Sequence, residues 1–192
     1  MARREIVTVG AAVLRERARE VTAAELASAP VQELIDDLVD TMRAASGAGL
    51  AANQVGELLR VAVIEVAGTN ERYPYKPPIP LTVIVNPVLE PLDDELFEVN
   101  EGCLSVPDVR GVVARSVSVR VRYRDRDGAE HDVVQRGLTA GTFQHEVDHL
   151  DGVLFVDRVT DPATLTTWEH FERHDRAAFE ARARALVARV GS

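Results

Sequence analysis

Between Pro30 and Gly47 the apolar residues fall at Val31, Leu34, Ile35, Leu38 and Met42, the spacing of a helix that turns one face to a core. Pro30 suits the first turn of such a helix, and Gly47 and Gly49 end it. Two β-rich runs follow, RVAVIEV at 60–66 and LTVIV at 81–85. Between them NERYPYKPPIP carries four prolines, which cannot donate ladder hydrogen bonds, so this stretch is expected as a loop rather than a sheet element.

The cleanest alternation runs over 115–124. Val117, Val119, Val121 and Tyr123 interleave with Ser116, Ser118, Arg120, Arg122 and Arg124, predicting one strand from Arg115 onward with a buried and a wet face. Asp127-Gly128 then signals a hairpin, 131–135 the return strand, and 138–150 a helix closed by Gly152. Asp161-Pro162 suits the start of a last helix reaching Val190, with Leu165, Trp168, Phe179, Leu186 and Val187 as its apolar positions. Strands without βαβ alternation, flanked by helices, predict an α+β fold, and no linker divides residues 1–192 into more than one domain.

Composition narrows the function. A net charge of -9 argues against a whole-surface attraction to nucleic acid, and no apolar run approaches a membrane span. The arginines at 120, 122 and 124 are followed at once by Asp125 and Asp127, so they read as a solvated strand face. The N-terminal apolar run at 6–14 is diluted by Thr8 and Gly10 and followed by RERARE, unlike a signal peptide. With a single cysteine, Cys103, the chain forms no internal disulfide, and the cytoplasm is the expected compartment.

The chemistry concentrates in QHEVDHLDG. His145 and His149 stand at i, i+4, about 40° apart on a helix, and Glu146 sits at the flank, within reach of a metal-held water without taking a ligand position. A second pair, His170 and His174, has its acid, Glu172, about 180° away, which marks it as a coincidence on a charged face. Two histidines need a third ligand. Phe155 occupies the place of the third histidine in HExxHxxGxxH. Glu169 would suit a metalloprotease, and Cys103 in EGCLS would supply a thiolate.

Three segments taken together, GAGLAANQVG at 47–56, EGCLS at 101–105 and QHEVDHLDG at 144–152, resemble in order and spacing the signature motifs of the peptide deformylase family. The resemblance implies antiparallel sheets packed around a central HExxH helix, with an N-terminal and a C-terminal helix. It implies one divalent metal on Cys103, His145 and His149, with Fe2+ expected natively and Zn2+, Ni2+ or Co2+ in preparations. Glu146 would be the general base, and the Gln54 side-chain amide and the Leu104 backbone N–H the oxyanion donors. Gly47, Gly49, Gly102, Arg110, Leu138 and Thr142 would bind the substrate, and Glu101 with Arg115 would form a supporting ion pair.

By the same resemblance the partner is an N-formylmethionyl nascent peptide, met by a monomer in transient contact with the ribosome, with no direct nucleic acid or membrane binding. Asn53 departs from the proline or threonine common in the family. The last helix mixes arginines with acids, unlike a basic ribosome-docking tail. Two other readings stay open on the residues alone: a metalloprotease using Glu169, and a protein whose metal only holds its fold.

Overall fold

The structure, a computed structural model, describes residues 3–68 and 75–192. Thr22 caps the short helix α1 (Ala23–Leu26) through a reciprocal pair with Glu25. Helix α2 (Ala29–Ala44) follows with Pro30 in its first turn and Val31, Leu34, Ile35, Leu38 and Met42 buried, as its spacing predicts. The left-handed residue that ends it is Ser46 (φ 52°) and not Gly47.

Strands β1 (Gly49–Ala51), β2 (Val61–Val66) and β3 (Ile79–Pro91) lead to β4 (Leu96–Cys103), β5 (Val106–Ser116), β6 (Ser118–Arg124) and β7 (Glu130–Arg136). Helix α3 (Gly137–Leu150) and the two-residue strand β8 (Thr166–Thr167) come next, then α4 (Trp168–His170) and α5 (Arg176–Val190), joined by a π-helical stretch at Phe171–Asp175. One sheet has the order β1-β2-β3-β6-β7 and the other β4-β5-β8, with every pairing antiparallel.

Alternation in β2 shows how the layers assemble. Val61 and Val63 face the core shared with α2, while Ala62 and Ile64 face the core that holds Ala140, Phe143, Val147 and Leu150 of α3. The five-stranded sheet thus lies between α2 and α3. The smaller sheet packs on the other side of α3, where Phe97, Val99 and Val113 meet Leu138, Phe155, Phe171 and Phe179. Helix α3 is therefore the central element, and the α+β expectation holds.

Three expectations need correction. The run 115–124 is two strands: β5 ends at Ser116, β6 begins at Ser118, and they belong to different sheets. Alternation holds within β6, and Arg115, which shares the parity of Val117, Val119 and Val121, is buried at 2% exposed. The loop 70–80 lies outside the described residues from 69 to 74, and its far end is not loop, since Ile79 and Pro80 open β3. Pro80 is accommodated because β3 pairs only with β2 there and meets β6 from Val85 onward.

The last helix does not begin at Asp161-Pro162. Asp161 does cap, accepting from the Ala163 N–H, but the turn it caps is the three-residue Pro162–Thr164, and β8 intervenes before α4.

Candidate active site

Four segments converge beside the C-terminal half of α3. Strand β4 ends at Cys103 with a register shift against β5, and the tight turn at 104–105 follows. The 3-10 turn Ala52–Val55 brings in Gln54. The N-terminal segment ties these two together, Val7 N–H donating to the Gln54 carbonyl and Val9 N–H to the Ser105 carbonyl.

Ligand atoms of Cys103, His145 and His149 all lie within 4.8 Å of one another, and Cys103 Sγ is 3.1 Å from His149 Nε2. One thiolate and two imidazoles facing a common point form a donor set for a borderline divalent ion such as Zn2+ or Fe2+. The residues fit that group. Burial alone raises the Cys103 thiol, but the two histidines beside it outweigh burial and bring it down to about 5.

The decoy pair does not join this cluster. His170 and His174 are exposed, and Glu172 is engaged by Arg176 at 2.6 Å. Glu169 is equally remote from the protease role, its exposed side chain pairing with Arg173 at 2.7 Å.

Around the cluster runs a chain of charges only partly visible in sequence. His145 Nδ1 lies 2.9 Å from Glu101 Oε2, which directs its other nitrogen toward Cys103. Burial lowers the His145 pKa, yet the bonds to Cys103 and Glu101 lift it well above the ordinary value. Arg115 holds Glu101 through Nε at 2.7 Å and Nη2 at 2.9 Å, and reaches Asp148 at 2.5 Å. Arg158 closes the other side of Asp148 with two bonds of 2.5 Å. Burial pushes Glu101 up, but Arg115 overrides it and holds the carboxyl far below the usual range.

Asp148 and Arg158 escape sequence reasoning. The available signal is an acid inside the HExxH helix, three residues after His145, which reads as an ordinary helix charge until Arg115 and Arg158 are placed around it.

Glu146 is 3% exposed, and its Oε2 has no hydrogen-bond partner among the described residues. Desolvation raises its carboxyl, the direction that prepares a carboxylate to accept a proton near neutral pH. Gly49 leaves the space it fills. Gln54 Oε1 accepts from the Ala51 N–H at 2.9 Å, which turns Nε2 toward Ser105 Oγ at 3.0 Å and Cys103 Sγ at 3.5 Å. The loop-closing bond and the site-facing amide therefore coexist in one side chain. Asn53 ties this loop to α3, donating to the His149 carbonyl at 2.5 Å.

A pocket opens from this cluster, lined by Gly47, Gly49, Gly102, Leu104, Leu138 and Thr142 among others. Arg110 also lines it, but its guanidinium is fixed: it donates to Asn100 Oδ1 and the Asn100 carbonyl and stacks between Trp168 and Phe171 at 4.6 and 4.3 Å. All the site positions expected from the sequence thus meet at one place.

Comparison with known proteins agrees. The family model described as polypeptide deformylase matches residues 3–164. A peptide deformylase of Leptospira biflexa is 43% identical over 159 residues, covering 83% of this chain and 89% of that protein. Peptide deformylase 1 of Prochlorococcus marinus is 45% identical over 165 residues, 86% of this chain and 85% of the relative. Among solved structures, the Met-Ala-Ser-bound class I type b peptide deformylase of Acinetobacter baumannii superposes with a TM-score of 0.79 at 39% identity, covering 82% of this chain and 99% of that one. With its HExxH helix at the centre, its Cys-His-His donor set and these relatives, the chain belongs to the peptide deformylase family.

Proposed function

We propose that Cys103, His145 and His149 hold one divalent ion, Fe2+ in the native protein, and that Glu146, Gln54 and Leu104 run the reaction around it. The overall activity is that of the family: a metal-dependent hydrolase that removes the formyl group from the N-terminal methionine of new polypeptides. The observation that carries the assignment of roles is the convergence of three ligand atoms within 4.8 Å beside a buried carboxylate oxygen that has no hydrogen-bond partner among the described residues.

The chemistry supplied by a bound ion is Lewis-acidic, acidifying water and polarising the formyl carbonyl. Glu146 takes the proton of the attacking water and returns it to the leaving amine. Gln54 Nε2, oriented in advance by the Ala51 bond, and the Leu104 N–H stabilise the oxyanion that develops on the formyl oxygen. The peptide lies in extended form along β1 and the end of β4, where Gly47, Gly49 and Gly102 let two backbones approach. The methionine side chain runs up α3 toward Thr142 and Leu138, and Arg110 braces that wall.

The protein acts as a cytoplasmic monomer and is one domain over residues 1–192. No helix among the described residues is long and apolar enough to cross a membrane. Contact with the ribosome is transient and draws little on α5, where Arg176, Arg184 and Arg189 are each paired with a glutamate. The test is an anaerobic assay of the iron-loaded protein on a short formyl-Met peptide, with the acetylated peptide as control. Formate release from the first alone is expected; equal hydrolysis of both would overturn the reading.

A further inference from the structure

Lys76 stands apart from the reaction just described, yet it lines the same pocket. It emerges from the proline-rich stretch before β3 and donates from Nζ to Thr142 Oγ1 at 2.9 Å. Its ammonium is turned inward: burial pulls its pKa down to about 8, and Glu101 and Glu146 are close enough to act on it against that pull. A pocket built only for a thioether would place an apolar side chain at this wall, because a buried ammonium is costly and a sulfur is a weak acceptor.

The position along α3 indicates what the ammonium meets. Thr142 precedes His145 by three residues, about 4.5 Å of helical rise. The thioether sulfur of an extended formyl-methionine lies five bonds from the formyl carbon, roughly 5–6 Å. A formyl group held at the metal cluster therefore brings the sulfur level with the Thr142 hydroxyl and Lys76 Nζ.

We propose that Lys76 is a specificity-determining residue that lets this enzyme deformylate peptides whose first residue is formyl-methionine sulfoxide as well as formyl-methionine. The sulfoxide keeps the length of methionine and adds a strong acceptor oxygen at sulfur. Lys76 donates to that oxygen, and Thr142, whose hydroxyl also donates to the Leu138 carbonyl at 3.1 Å, holds the ammonium at the right height. Gly141 lets Phe97 pack against this stretch of α3, since a Cβ there would stand 3.2 Å from Phe97 Cζ. The inference rests on the reading that this pocket holds the methionine side chain.

The experiment measures kcat/KM of the iron-loaded full chain on formyl-Met-Ala-Ser, its sulfoxide counterpart and formyl-Ala-Ala-Ser. Lys76→Met should lower the sulfoxide-to-methionine ratio about tenfold, the scale of one hydrogen bond to a charged group, and Lys76→Arg should restore most of it. In parallel, Thr142→Phe should collapse the preference for formyl-Met over formyl-Ala. An unchanged sulfoxide ratio in Lys76→Met, with that collapse present, overturns the role of Lys76 and leaves the pocket reading intact. Should Thr142→Phe keep the formyl-Met preference, the methionine side chain lies elsewhere and both ideas fall.

Discussion

A β-carbon placed on Gly49 would stand 2.2 Å from Oε1 of Glu146. The first motif and the HExxH helix are thus fitted to each other at the carboxylate, and the glycine is needed there whether or not a substrate backbone approaches. Gly49→Ala should displace Glu146, lowering kcat on a formyl-Met peptide by roughly 10²-fold, the scale of a misplaced catalytic group. Metal content should stay at that of the parent protein, because the atoms nearest the added carbon belong to Glu146, which is not one of the three proposed ligands. Parent-like kcat in this variant would show that the carboxylate position does not matter.

The charge relay from Arg158 through Asp148, Arg115 and Glu101 to His145 makes Arg115 its pivot. Arg115→Met leaves Glu101 buried with only His145 beside it and Asp148 with only Arg158. A destabilisation of about 3–5 kcal/mol is expected from urea unfolding. Arg120→Met, on the exposed face of β6 where Arg120 meets Asp132, should leave the urea midpoint nearly unmoved.

That contrast also shows what sequence reading can and cannot reach. Arg115 and Arg120 sit in one alternating run, where period two sets Arg115 on the side of the valines and Arg120 on the wet side but names no partner for a buried arginine. Arg115 is tolerated on the buried side because Glu101 and Asp148 arrive from other elements to surround it, which no local pattern shows. Helix α2 and the β6–β7 hairpin were legible because their apolar spacing is local. Strand β5 was not, since Val112 and Val113 are adjacent rather than alternate. The last helix start was misplaced because an Asp-Pro cap serves a single turn as well as a long helix. Within the site the histidine pair follows from motif and spacing and Cys103 from the family resemblance of EGCLS, whereas the surroundings of Asp148, Arg158 and Lys76 are set by tertiary neighbours.

The two histidine pairs give a direct test of the donor set. Cys103→Ala should lower bound metal well below one ion per chain, and replacing both His170 and His174 by alanine should leave it unchanged, as read by elemental analysis. Loss of metal from the second variant, or full occupancy in the first, would contradict the assignment.

Gln54 carries two bonds with different purposes. Gln54→Glu retains an acceptor for the Ala51 N–H but replaces the donor beside Ser105 and Cys103. Its kcat should fall by about 10²–10³-fold, the usual loss for one oxyanion donor, with a melting temperature close to the parent's. A drop in melting temperature with little change in kcat would assign Gln54 to loop closure alone.

The central claim is that Glu146 moves the proton at a metal held by Cys103, His145 and His149. Glu146→Ala, assayed for metal content and formate release on the same iron-loaded sample, tests it most directly. One ion per chain with a rate reduced by roughly 10³–10⁴-fold is the expected result; full metal occupancy with parent-like turnover would contradict it.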